Sequence, residues 1–169
     1  MKRIILVACA AFTLIATKVN AQSLKIGHIN SQELLSLMPE VKKADADLKT
    51  YAKSFEDQLE TMGKDYQKKI ADYQGQEKTM TDAVKEVKQK EITDLGARIE
   101  STQKSAEEKV ATKKQELFKP ILDKAEKAIK DVAKEKGFDY VFDLSTGSVL
   151  VSRDADNMLP AVKAKLGIQ

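Results

Sequence analysis

His28 is the only histidine of the sequence, and it lies in a predicted strand between Gly27 and Ile29. A lone imidazole without cysteine partners cannot build a common zinc site, which needs three or four His, Cys or carboxylate ligands. A strand histidine beside apolar neighbours reads as a structural side chain. Asp139 and Asp143 flank residues 140–142 at a spacing of four, which on a strand puts both carboxylates on one face. On paper that is a paired acid and base; two solvent-facing strand residues is the simpler reading. Asp154 and Asp156 read as helix caps in preference to calcium ligands. There is no glycine-rich phosphate loop and no nucleophile elbow. No catalytic, metal-binding or cofactor-binding set emerges, and the sequence does not read as an enzyme.

What remains is surface. Residues 41–136 are dense in Lys, Glu, Asp, Gln and Ala, and they contain no proline before Pro120. From Leu48 through Phe55, Met62 and Tyr66 to Tyr73, apolar side chains recur every three or four residues, the spacing of one helix face. After a break at 75–81 the stripe resumes with Val84 and Val87 and runs through Leu95 and Val110 to Leu117. Thr79 or Thr81 can cap the returning helix, with Asp82 in its first turn. Pro39 and Pro120 stand at nearly equal distances on either side of Met80. The pattern predicts a long antiparallel helical hairpin, an arm over residues 41–119 with its tip near 75–82. Each helix is about forty residues, or roughly 60 Å. Phe55, Met62, Tyr66, Tyr73 and Met80 are the candidate contacts for apolar segments of a partner, since Met and Tyr suit adaptable surfaces. The plainer reading makes them the seam of the hairpin itself, except for Met80, which has little to pack against at the tip. Gly63 and Gly96 each weaken the helix relative to Ala; they can let the helices approach closely or flex, and the plainer reading is that they are simply tolerated.

The two ends of the chain supply a body of residues 22–40 and 120–169, in an α+β fold class. Residues 24–29 alternate as a half-buried strand does. Asn30 or Ser31 caps a short helix that Pro39 ends. Beyond Pro120 the stripe widens through Ile121, Ala125, Ala128, Ile129 and Val132, and Gly137 closes the helix. Residues 138–144 and 149–152 read as a β-hairpin around a turn at 145–148. Asp154 or Asp156 caps a last helix with Pro160 in its first turn. So small a body makes a poor independent core, and three strands leave open edges. Other copies of the chain are expected to complete it, through Ile26, Ile29, Val141, Phe142, Val149 and Val151.

Residues 1–21 have the composition of a cleaved secretory signal: Lys2 and Arg3, an apolar run, then Val19 and Ala21 before Gln22. The single cysteine, Cys9, falls inside that segment, with most of the apolar run after it, which argues against lipoprotein processing. The expected compartment is a bacterial periplasm. Lys2, Arg3 and Lys18 account for the whole excess of 29 basic over 26 acidic side chains. The balance that is left argues against a nucleic-acid partner, which would demand clustered surplus cations.

The order of these features resembles the Skp (OmpH-like) family of periplasmic chaperones across the mature chain. The resemblance rests on residues 25–30, Leu34 and Leu35 before Pro39, the long charged hairpin, residues 119–121, the helix ending at Gly137, residues 140–143, a second strand and a terminal helix through Asp156, Val162 and Leu166. It implies a homotrimer whose small β-barrel body carries three projecting helical tentacles. It implies an ATP-independent holdase that encloses unfolded outer-membrane proteins, with membrane and lipopolysaccharide proximity in some members. Well-known members are strongly basic and this chain is not. Two other readings compete: a periplasmic coiled-coil spacer or adaptor with one folded partner, and a metal-assisted hydrolase built on His28.

Overall fold

A computed structural model describes residues 24–168; the predicted signal segment and Cys9 lie outside the described residues. Strand β1 is Ile26–Ile29. Asn30 ends it and caps helix α1, Ser31–Leu37, by accepting the Glu33 N–H on Oδ1 at 3.0 Å. Met38 leaves the helix with extended geometry (φ −74°, ψ 123°), because the Pro39 ring excludes the helical conformation before it. Pro39 itself opens helix α2, Pro39–Gln76, where its missing N–H costs nothing. The helix thus starts one or two residues earlier than its charge pattern suggests.

Helix α3, Asp82–Lys136, is 55 residues long and is capped by Thr81, whose Oγ1 accepts the Val84 N–H at 3.4 Å. It runs through Pro120 without interruption. The proline removes one donor from the ladder, but its surroundings are exposed and water can serve the freed carbonyl. Gly137 terminates α3 with φ 68°, a left-handed conformation that Cβ-bearing residues resist. The ammonium of Lys25 adds a second stop by donating to the Lys136 carbonyl at 2.6 Å.

Strand β2 is Tyr140–Asp143, and it pairs with β1 in parallel, Ile26 opposite Tyr140 and Ile29 opposite Asp143. Here the structure corrects the expected β-hairpin. Residues 149–152 belong to no strand, and among the described residues the sheet has two strands, not three. The cause is local. The Asp143 carboxylate accepts the Ser145 N–H and starts a 3-10 turn over Leu144–Thr146, which carries the chain off the sheet before it can reverse. A parallel neighbour requires a long crossover, and the two long helices provide it. The last helix, α4, is Leu159–Leu166 with Pro160 in its first turn, as expected. Asp154 and Asp156 do not cap it. They form a separate 3-10 turn, and Asn157 supplies the acceptor for the Leu159 N–H at 2.9 Å.

The core sits where these ends meet. Ile29 from β1, Leu34 from α1 and Met38 pack with Ala125, Ala128 and Val132 of α3 and with Met158 and Val162. Small alanines on α3 let the strands and short helices lie close against it. Gly27 is the tightest point: a Cβ there would stand 3.0 Å from the Met158 sulfur and 3.0 Å from the Phe138 ring. Gly27→Val should therefore overpack this contact and lower stability by about 1–3 kcal/mol, measured as a shift of the urea midpoint without loss of helical circular dichroism.

Candidate functional site

Away from the body, α2 and α3 lie side by side and touch at several levels. Glu40 pairs with Lys124, the Lys109 ammonium lies 5.8 Å from the Phe55 ring, and the Tyr66 ring rests where a Gly96 Cβ would come within 3.4 Å. Lys69 bonds Glu91 at 3.1 Å, and Gln89 donates to the Tyr73 hydroxyl at 2.6 Å. The hydrogen bond between Lys69 and Glu91, helped by their opposite charges, raises the lysine pKa and lowers the carboxyl pKa from their ordinary values. Gly96 is thus a point of close approach, whereas Gly63 has nothing within 4 Å of a Cβ position.

The seam is thin. Among the described residues of α2 only Ala44 is buried, and on α3 before Pro120 only Leu95 and Ala106 are. Phe55, Met62, Tyr66, Tyr73 and Met80 are each half-buried. Phe55 stacks edge-on against Tyr51 with ring centres 5.2 Å apart. Most other ion pairs run along one helix at spacings of three or four, such as Lys53 with Asp57 and Lys90 with Asp94, and are exposed. Such exposed pairs contribute little to stability, because water and salt screen them. The stripe breaks at Val84 and Val87, which read from sequence as seam residues but stand 43% and 57% exposed.

In the body, one face of the two-stranded sheet is open. Ile26 and His28 of β1 lie opposite Tyr140 and Phe142 of β2, so these four share a face. Ile26, Tyr140 and Phe142 are exposed on it, while Leu150 and Val151 in the following segment are 94% and 88% exposed. A cavity of about 690 Å³ separates the strands from this segment, lined by Ile26, His28, Phe142, Val149 and Val151 among others. A second groove of about 460 Å³ lies on the other side, between α1, α3 and β2, lined by Leu35, Leu122, Ile129 and Val141. Of the six residues expected at a subunit interface, Ile29 is buried in the chain's own core, and Val141 and Val149 are half-buried.

The candidate acid–base pair is not assembled. Asp139 precedes β2 and accepts the Lys25 backbone N–H at 2.7 Å. Asp143 is half-buried, not solvent-facing as expected, and it accepts the Ser31 N–H, the Ser31 hydroxyl at 2.5 Å and the Ser145 N–H. Partial burial pushes its carboxyl up. The hydrogen bonds from the Ser31 hydroxyl and the Ser145 and Ser31 backbone outweigh that and bring it down from 3.8 to about 2. The sequence signal for this site was Asp143 two residues before Ser145, the pattern of a side-chain-closed turn. His28 is 7% exposed and donates from Nε2 to the Arg153 carbonyl at 2.9 Å. That bond ties β1 to the segment after the open cavity. Among the described residues no grouping of three or more His, Cys, Asp or Glu side chains is placed to hold a metal ion.

Such a molecule falls in the class of helical-arm proteins: a long helix pair with a shallow seam, mounted on a small body with an open apolar face. The sequence matches the family described as outer membrane protein (OmpH-like) over residues 25–166, and the chain belongs to that family. Among solved structures it is similar to an OmpH-like protein from Caulobacter crescentus CB15 described as an outer membrane chaperone. The TM-score is 0.73 at 15% sequence identity, over 85% of this chain and 83% of that one, which establishes a common fold. Comparison with curated proteins gives no match.

Asp143 links β2 to the start of α1, and its removal should be felt in the whole body. Its folded value of about 2 lies below the ordinary 3.8, so its contribution is complete above about pH 4 and fades as pH falls through about 2. Asp143→Ala should lose about 1–3 kcal/mol at pH 7. The gap to the unsubstituted protein should narrow at pH 2, as read by chemical denaturation at both values.

Proposed function

We propose that this chain is an ATP-independent periplasmic holdase chaperone that binds unfolded outer-membrane proteins between helical arms and keeps them from aggregating. The observation that carries the reading is the helix pair itself. Helix α2 has 38 residues, and it extends roughly 57 Å at 1.5 Å per residue. Over that length it buries very little. A structure that spends so many residues on surface serves contact with something else. Membership of the OmpH-like family and the shared fold with an outer membrane chaperone point the same way. Many weak contacts along such arms hold a chain in solution without imposing one conformation on it, and they need no active-site residue.

In this reading residues 41–119 form an antiparallel hairpin arm, residues 22–40 and 120–169 form the body, and residues 1–21 direct export. Phe55, Met62, Tyr66 and Tyr73 serve mainly as the seam and present their remaining exposed surface to the client, and Met80 at the tip is a client contact without a seam role. The working unit is a homotrimer. Support for it comes from the open sheet face: a two-stranded sheet with exposed Ile26, Tyr140, Phe142 and Val151 is a poor monomer surface and a good subunit contact. Val149 and Val151 then approach a neighbouring copy. Ile29 supports the interface from behind, through the core.

Two measurements test this. An outer-membrane β-barrel protein diluted from urea should stay soluble in the presence of about one trimer per client. Unchanged light scattering with and without the protein would remove the holdase reading. Phe142 is 48% exposed in the single chain, so Phe142→Asp should fold yet fail to assemble, because a carboxylate buried at the contact costs several kcal/mol. Sedimentation should show monomers; an intact trimer would displace Phe142 from the interface.

A further inference from the structure

Val84, Val87 and Glu91 follow one another at steps of three and four, so they share a face of α3. Glu91 bonds Lys69 at 3.1 Å, which fixes that face as the one turned towards α2. At the level of the two valines α2 is running out. It ends at Gln76, and Gly75 brings no side chain and has nothing within 4 Å of a Cβ position. The apolar face of α3 therefore continues to the level at which its partner ends. Within residues 41–119 Val84 and Val87 are the large aliphatic side chains left most exposed, and Met80 stands half-buried in the turn just before them.

The charges around them are balanced. Lys85 lies 3.7 Å from Asp82, Lys88 lies 3.9 Å from Glu91, and Lys90 lies 3.1 Å from Asp94. The same holds for the whole described chain, since the basic excess resides in Lys2, Arg3 and Lys18. A surface without net charge exerts no long-range pull on an anionic membrane, an acidic protein or a nucleic acid. Three apolar side chains are also far too small a patch for a folded partner, whose stable interface needs about 1,200–2,000 Å². An extended, unfolded segment that offers every second side chain to the surface does fit.

Building on the chaperone reading, we propose that the helix pair takes hold of apolar segments of unfolded polypeptide at its distal end, through Val84, Val87 and Met80, and that net charge takes no part in the capture. The distal end is where a client entering between arms arrives first. The more proximal aromatic side chains are already engaged with the opposite helix.

The test uses the full mature protein and a fluorescently labelled outer-membrane β-barrel protein diluted from urea as probe. Affinity is measured at about 0.1 M and 1 M NaCl, over which the screening length falls from about 10 Å to about 3 Å. The dissociation constant should change by less than about threefold, because screening has no net attraction to remove. The double variant Val84→Gln/Val87→Gln should bind about tenfold more weakly with unchanged circular dichroism, since it loses apolar contact and keeps both charge and helix propensity. Met80→Gln, outside both helices, should also weaken binding, and Lys78→Gln should leave it unchanged. A loss of more than about tenfold in affinity at 1 M NaCl would mark charge-driven capture and overturn the proposal while sparing the chaperone reading. Equal affinity of the glutamine variants and the unsubstituted protein would overturn the distal site in the same way. Absence of any binding in either salt would sink the chaperone reading, and this inference with it.

Discussion

The parallel ladder between β1 and β2 is the interaction on which the rest depends. It is only four residues long on each strand, yet it joins positions more than a hundred residues apart. Everything that makes the body a body is arranged around it. Gly27 lets Met158 and Phe138 come against its inner face, Lys25 stops α3 beside it, and Asp143 ties its far end to the start of α1. The entropic cost of closing a loop grows only with the logarithm of its length. Once the strands have met, a longer or shorter helix pair between them changes the stability of the body little. The length of the arm is therefore free to be set by what the arm must reach.

Packing follows the same gradient. Near the body α3 presents Ile121, Ala125, Ala128 and Val132, all buried; along the pair it presents Leu95 and Ala106; towards the turn it presents exposed valines. The cross-helix bonds beyond Gly96, Lys69 with Glu91 and Tyr73 with Gln89, are single polar links at partly exposed positions. Local opening is cheapest where buried apolar contact is least and hydrogen bonds face water. The helix pair is firm at its root and soft at its end.

Much of this was legible in the sequence because it rests on local chemistry. Gly137 announces a helix end by residue type alone, the caps narrow to Asn30 or Ser31 and to Thr79 or Thr81, Pro39 separates two helices, and the three- and four-residue steps trace the two long helices. The sheet was not legible in the same way. Residues 145–148 have the composition of a hairpin turn, and only the side chain of Asp143 decides that they close a 3-10 turn instead. Nor does periodicity reveal that Val84 and Val87 lose their partner, since that depends on where α2 stops relative to α3. The likeness to the OmpH-like family was carried by the order of elements, and the family match bears it out. Asp139 and Asp143 show the limit of spacing as a guide: four residues apart, they are bound to different partners.

The placement of the core residues also imposes an order of events. Helices α2 and α3 are held by local contacts and by each other, while the core waits for Met158 and Val162, more than a hundred and twenty residues after Ile29. A chain threaded through a membrane from its N-terminal side presents β1 long before anything exists for it to pair with. The pair of long helices can form on emergence, and the body can close only after the last helix has crossed. On the proposed export route the strand Ile26–Ile29 is until then an unpaired segment, the condition that the proposed clients share.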